Sequence, residues 1–335
     1  MAVTITDLAK ELNISHSGVS RVLNGRGKGL VRKDVAEKIL ALAEKRGYRP
    51  NVSARTLKTG KSGTVGLVTG EISERYQGCY AQALLNEAER HGYKLLISTT
   101  GYNQEKEREC LESLLHFNVD GVFYPLHFDS GSDLFKSLKE KNFPLITRSG
   151  KGNFSFVSFD CGKALKELVA SFKKRNIRKI TLLTWEFDPL SKTLAEEAAK
   201  QDLGIEEVFF NPLDRYDSSV FSGTMQHHPE AVFSSSHVEI RNLLEHCTEF
   251  GLQKPFCAYT WNMPFEFISD PAVIGVIAYP FRKLVENEFA LLLEKIKDSA
   301  LPAREVVLPA EFLDREAWKK RNQKLRSASW YKKYC

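Results

Sequence analysis

The chain has 335 residues, of which 42% are apolar and 27% charged, with a net charge of +6; this is enough for two or three domains with buried cores and unlike a disordered chain. The first residues, "MAVTITDLAKEL", hold no long apolar run and no cationic lead into one, so neither a secretory signal nor a membrane span is expected, and a cytoplasmic location is. Six cysteines, at 79, 110, 161, 247, 257 and 335, form no Cys-x-x-Cys pair and no Cys/His cluster, which argues against a disulfide frame and against structural zinc.

The charge is unevenly placed. Residues 1–62 hold 13 Lys/Arg against 5 Asp/Glu, and the remainder holds 35 against 37. That is the footprint of a small polyanion-binding module joined to an ordinary body. Along the module, Ile5, Leu8, Ala9 and Leu12 follow the period of an amphipathic helix, with Thr4 or Thr6 available as its cap. Asn13 and Ile14 make a tight connection. Ser15 caps a second helix whose inner face is Val19, Val22 and Leu23 and whose outer face is His16, Ser17, Ser20 and Arg21. After the loop "GRGKG", Val35, Ile39 and Leu42 predict a third helix that stops at Gly47. Three short helices with this turn between the first two predict a helix-turn-helix.

In that arrangement the second helix enters the DNA major groove, its exposed N-terminal side chains reaching base edges while flanking residues hold phosphates. His16, Ser17 and Arg21 are the base-reading candidates, Arg21 being suited to the two acceptors of a guanine, and Arg26 and Lys28 are placed to hold the backbone. "GRGKG" is not a phosphate-binding loop of the nucleotide type, because no Gly-x-x-x-x-Gly-Lys-Ser/Thr spacing occurs and no buried strand precedes it.

"TITDLAKELNISHSGVSRVLN" followed by "GYRPNVSARTL" resembles the head and hinge of the LacI/GalR family of bacterial repressors. The resemblance implies base contacts from His16, Ser17 and Arg21, and DNA backbone contacts from Thr6, Ser15, Ser20 and Asn24. It also implies a hinge helix after Pro50 and Asn51, with Ala54 and Leu57 on one face and Leu57 wedged into the operator's minor groove. Two departures stand out: the loop from Asn24 to Val31 is longer than the family's, and Arg32, Val35 and Ala36 replace a serine cap and a Thr-Arg pair.

Beyond Thr64, short apolar runs alternate with helical patterns, first in "TVGLVT", "KLLIST", "DGVFYP" and "FPLIT", then in "RKITLLT", "EAVFSS", "PFCAY" and "VIGVIAY". Such alternation predicts two parallel α/β sheets covered on both faces, with ligand sites beyond the carboxyl ends of their strands. The expected fold is therefore an all-α helix-turn-helix head and an α/β body of two Rossmann-like lobes. Its boundaries are 1–49 for the head, 50–62 for hinge and linker, 63–327 for the effector-binding and dimerisation body and 328–335 for a basic tail. The body resembles the periplasmic-binding-protein-like core of the same repressors, and "HGYKLLISTTGYNQEKERECLESLLHFNVDGVFY" follows their pattern closely.

The second lobe departs from that pattern in its ligand chemistry. Lys192 stands in place of a gripping arginine, Ser236 and His237 in place of an Asn-Asp pair, and Trp261 and Asn262 in place of a Gly-aromatic-Asp-Asp turn. The missing carboxylates argue against a simple monosaccharide site. What remains is Tyr76, Arg148, Lys192, His237, Trp261, Asn262 and Tyr279, a set able to stack a sugar ring or hold an anion, or to be mere packing of a cleft without a ligand. His227 and His228 form a loop pair, and no catalytic constellation, cofactor motif or metal set emerges, so no enzyme is expected. The basic C-terminal stretch from Lys319 lacks leucine heptads, which favours a homodimer over a tetramer. The sequence thus predicts a dimeric DNA-binding regulator of palindromic double-stranded operator DNA, controlled by a carbohydrate or anionic metabolite and not associated with a membrane. An effector-free regulator and a cytoplasmic solute-binding protein are the alternatives.

Overall fold

The computed structural model describes residues 3–23, 25, 27, 29–48, 60–125, 132–148, 153–184, 190–210, 217–261 and 269–326. The chain divides into two compact units, Met1–Ser62 and Gly63–Cys335.

The first unit holds α1 (Ile5–Leu12), α2 (His16–Leu23) and α3 (Lys33–Lys45). Thr4 caps α1: its hydroxyl accepts from the Asp7 N–H at 3.3 Å, and the Asp7 carboxylate accepts from the Thr4 N–H at 2.9 Å, so two orphan donors are satisfied reciprocally. Asn13 ends the helix in the left-handed region, at φ 51°, which turns the chain sharply into α2. Leu8, Val19 and Ile39, one from each helix, are fully buried and form the centre of the core. Each is worth roughly 1.5–3 kcal/mol of apolar burial, which is why so short a unit can hold three helices together. At α3 the missing serine cap has a visible result: Arg32 makes no side-chain cap and pairs instead with Asp34 at 2.7 Å.

The second unit is two lobes. The first contains β1 (Thr64–Thr69), α4 (Arg75–Arg90), β2 (Lys94–Thr99), α5 (Gln104–His116), β3 (Val122–Tyr124), α6 (Asp133–Glu140), β4 (Leu145–Thr147) and β5 (Ser155–Asp160). The second contains α7 (Gly162–Lys173), β6 (Lys179–Thr184), α8 (Ser191–Ala199), β7 (Gly204–Phe209), α9 (Ser218–Gln226), β8 (Ala231–Ser234), α10 (His237–Glu249), β9 (Phe256–Trp261) and β10 (Val273–Ala278). The chain then returns to the first lobe with α11 (Phe281–Lys297) and β11 (Glu305–Pro309), and ends in the second with β12 (Glu311–Asp314) and α12 (Arg315–Arg326). The sheet orders are β11-β5-β4-β3-β1-β2 and β12-β10-β9-β8-β6-β7.

Every described pairing is parallel except that of β12 with β10. The exception follows from connectivity. β11 leaves the first sheet by its carboxyl end, and with only Ala310 between them β12 must enter the second sheet at its carboxyl end, running against its neighbour. The Ala310 N–H donates to the Asp160 carbonyl at 2.9 Å, tying this crossover to the one that follows β5. Part of the basic C-terminal stretch from Lys319 belongs to the helix α12, and the buried Trp318 anchors that helix in the second lobe's core. An apolar anchor one turn into an otherwise charged helix is the signal that sets its docked face.

Candidate functional site

In the first unit, the Ser15 hydroxyl accepts from the Gly18 N–H at 3.1 Å and meets the Ser17 hydroxyl at 3.2 Å. The cap fixes the start of α2, whose dipole and free N–H groups favour an anion there. His16, Ser17 and Arg21 are exposed on α2, Ser20 is half-buried, and Val19 and Val22 on the opposite face are buried. Thr6, in the first turn of α1, is also exposed. The helix therefore offers forked and hydroxyl donors on one side and a rigid apolar anchor on the other, the arrangement needed to hold side chains against base edges. Asn24, Arg26, Lys28, Ala54 and Leu57 lie outside the described residues.

In the body, the strand order reverses between β1 and β3 in the first lobe and between β6 and β8 in the second, and such switch points open crevices beyond the carboxyl ends of strands. At the end of β1 the Thr69 hydroxyl donates to Gln77 at 2.7 Å. Gln77 donates to the Tyr102 hydroxyl at 3.3 Å, and Tyr102 donates to the Glu74 carboxylate at 2.5 Å. The Tyr102 ring lies over Gly70 so closely that a Cβ there would come within 2.3 Å of it. Beside β3, the Tyr124 hydroxyl donates to Glu107 at 2.8 Å, and burial pushes the Glu107 carboxyl upward.

Of the ligand candidates, Tyr76 and Arg148 come together. Tyr76, at the start of α4, stacks on Tyr80 with ring centroids 6.2 Å apart and meets Phe281 edge-on. Arg148, directly after β4, is half-buried, and Tyr76, Glu288 and Tyr80 favour its charge against the cost of burial. Glu288, on α11, is 4% exposed and accepts from the Tyr80 hydroxyl at 2.7 Å. Burial raises its carboxyl to about 7, against the pull of Tyr80 and Arg148.

The other candidates are spread over separate elements. Lys192 is exposed near the start of α8. His237 opens α10 behind the cap made by Ser236, whose hydroxyl accepts from the Val238 N–H at 3.2 Å, and its ring lies 6.5 Å from that of Tyr259. Tyr279 sits at the crossover from β10 to α11, stacked on Phe159 at 4.2 Å, and its hydroxyl accepts from the Cys161 thiol at 3.8 Å. Burial pushes that thiol up to about 11. The Trp261 side chain and Asn262 lie outside the described residues.

Sequence reasoning missed Tyr80, Gln77, Tyr102, Phe159 and Glu288. Glu288 had a signal: it stands in phase with Phe281, Leu284, Val285, Leu291 and Leu292 on the apolar stripe of α11, where a carboxylate must find a partner. Among the described residues no cluster of His, Cys, Asp and Glu could hold a metal ion, and no helix is long and apolar enough to cross a membrane.

Residues 4–51 match the family described as bacterial regulatory proteins, lacI family. Catabolite control protein A of Staphylococcus xylosus is 25% identical over 266 residues, 76% of this chain and 80% of that protein. The HTH-type transcriptional regulator PtxS of Pseudomonas plecoglossicida is 25% identical over 337 residues, 96% of this chain and 97% of its own length. Among solved structures, the Lac repressor bound to ONPG in its repressed state superposes with a TM-score of 0.75 at 18% identity, covering 95% of this chain and 100% of that one.

Proposed function

We propose that the chain, whose residues 4–51 match the lacI family of bacterial regulatory proteins, is a sequence-specific, operator-binding transcriptional repressor whose body takes a small-molecule effector. The observation that carries the reading is the capped α2 with His16, Ser17 and Arg21 exposed opposite buried valines, within the stretch that matches the family. The hinge roles of Ala54 and Leu57 and the backbone roles of Thr6, Ser15, Ser20 and Asn24 belong to the same proposal.

A homodimer joined in part through the first lobe is the assembly this reading uses. Its support is the edge strand β2, where Leu96 and Ile97 are 37% and 41% exposed; an apolar sheet edge left open to water is a surface that needs a partner. The effector would sit between the lobes beyond Thr69 and Tyr124 on one side and Ser234 on the other. A regulator without effector is favoured by one specific observation, the Tyr102 ring drawn over Gly70 by its bonds to Gln77 and Glu74, which fills part of the first lobe's crevice with the protein's own side chain.

Selection of binding sites from a random DNA library, followed by operator titrations with and without sugars and sugar phosphates, tests both. Enrichment of a palindrome supports the repressor reading, and its absence overturns it. A ligand that changes operator affinity by about 1–3 kcal/mol supports the effector, and invariant operator binding across ligands transfers the function to the effector-free form.

A further inference from the structure

Among the described residues, the non-glycine positions with positive φ are five asparagines, one aspartate, one histidine and Tyr102, which stands at 60°. Asparagine, aspartate and histidine are the side chains that accept the left-handed region, whereas a tyrosine there is strained and must be held by its surroundings. The Tyr102 N–H donates to the Thr100 hydroxyl at 3.1 Å, and the half-buried ring is carried back over Gly70, the residue that follows β1. Gly70 is not itself left-handed, so glycine serves at this position to leave room for a ring, to which a Cβ would come within 2.3 Å.

The hydroxyl end of that ring is held as the hydroxyl of a bound ligand is held. Gln77 is buried, and its amide is oriented because its carbonyl accepts from the Thr69 hydroxyl at 2.7 Å; its NH2 group is thereby turned to the Tyr102 hydroxyl at 3.3 Å. Glu74 is the N-cap residue of α4, yet its side chain makes no cap bond, and its carboxylate accepts from the same hydroxyl at 2.5 Å. One donor and one acceptor from the start of one helix thus converge on a single hydroxyl at the carboxyl end of β1, where the strand order reverses. Tyr102 reaches this point from beyond β2 against a left-handed backbone, so its departure relieves strain and leaves the same donor and acceptor to a ligand.

We propose that Tyr102 is a displaceable internal occupant of the first lobe's crevice: its phenol stands where an uncharged ligand hydroxyl bonds Gln77 and Glu74, and the ligand binds by evicting it. The apparent affinity of the wild-type chain is then lowered by the fraction of molecules in which the seat is open. A ligand with no hydroxyl to place between the amide and the carboxylate does not evict the ring. This deepens the reading of the cleft as an effector site and rests on it, and it makes the self-filled crevice a threshold for a ligand instead of a sign that the ligand is lost.

The test uses the full chain and p-cresol, which is the tyrosine side chain cut free, with toluene as the same shape without the hydroxyl. Wild type, Tyr102→Phe and Tyr102→Gly are compared in thermal-shift titrations; the glycine variant empties the seat and suits the left-handed backbone, and the phenylalanine variant carries the comparison should the glycine variant fold poorly. p-Cresol is expected to stabilise Tyr102→Gly at concentrations about tenfold or more below those needed by wild type, with Tyr102→Phe between the two. Toluene is expected to need about tenfold more than p-cresol on either variant. In wild type, bound p-cresol should speed hydrogen exchange at residues 100–102, because the turn that carries the ring is released. A wild type that takes p-cresol as tightly as the variants overturns the proposal. So does a wild type that shows no response where the variants are saturated and at concentrations about a thousandfold higher, since the ring is then a fixed part of the fold. Binding to wild type that leaves exchange at residues 100–102 unchanged or slower overturns it too, and equal responses to p-cresol and toluene remove the hydroxyl from the account. Whether an evicting ligand alters operator affinity is a separate measurement, so a ring that is evicted with no effect on DNA binding counts against the effector reading and not against the role of Tyr102.

Discussion

Glu288→Gln should make the stability of the body less dependent on pH. The carboxyl of Glu288, ordinarily near 4.5, is raised to about 7 because burial disfavours its charge more than Tyr80 and Arg148 favour it. The groups facing it are Tyr76 and Tyr80 from α4 and Arg148 from the end of β4, while β5 and β11 meet α11 through apolar residues such as Val157 and Leu308. The folded body therefore holds this proton more tightly than the unfolded chain does. The stability it contributes is fully present below about pH 4.5 and is lost as pH rises through about 7. A difference of about 2.5 pH units at about 1.4 kcal/mol each sets the loss near 3.5 kcal/mol. Urea unfolding followed by tryptophan fluorescence reports on the body and not the head, because none of the four tryptophans, at 185, 261, 318 and 330, lies in residues 1–62. Between pH 5 and pH 8 the stability of Glu288→Gln relative to wild type should rise by about 2.5 kcal/mol, every other titrating group being common to both proteins. Curves that stay parallel within about 0.5 kcal/mol would falsify the assignment of a buried, proton-holding carboxylate to this position.

Arg21→Ala should cost about 1–3 kcal/mol on the best operator and relax preference at one base pair per half-site, whereas Lys28→Ala should weaken all DNA alike; equal effects on specific and random DNA would remove Arg21 from base reading. Leu57→Ala should reduce operator bending and specific affinity together while sparing dimerisation, as read by gel mobility of fragments with the operator central or terminal; an unbent wild-type complex ends the wedge. Replacing both Leu96 and Ile97 by Asp should shift the sedimentation coefficient toward the monomer, and an unchanged dimer would place the interface elsewhere. Gly70→Ala should force the Tyr102 ring from its seat, since a Cβ would lie within 2.3 Å of it, and if that ring blocks the crevice the variant should gain ligand-induced thermal shifts that wild type lacks.

The head was legible because its chemistry is contiguous. Apolar residues at 5, 8, 9 and 12 and at 19, 22 and 23 set two helices whose inner faces leave His16, Ser17 and Arg21 no direction but outward, and the caps at Thr4 and Ser15 are readable as residue types. The alternating strands of the body were legible for a similar reason, since runs such as Thr64–Thr69 are buried along almost their whole length and must be apolar. β7 and β12 were harder: β7 is an edge strand whose short apolar pattern is interrupted by the adjacent Glu206 and Glu207, and β12 owes its direction to a one-residue crossover that no periodicity records.

The cleft was read least well because it is assembled across distance. Tyr80 and Glu288 are 208 residues apart in sequence, and Thr69, Gln77 and Tyr102 meet only once β1 and β2 are paired. Sequence alone offered Arg148 as a cation for a ligand, and it gave no sign of the carboxylate of Glu288, hidden in the apolar phase of a helix formed after the chain has visited the other lobe and held there by the Tyr80 hydroxyl. A carboxyl in such a phase is costly unless it finds a hydrogen-bond donor or keeps its proton, so its presence is itself a sign that a polar partner waits in the fold. Phe159 was hidden by the same distance, and its stacking on Tyr279 uses a ring face that the sequence had offered to a ligand.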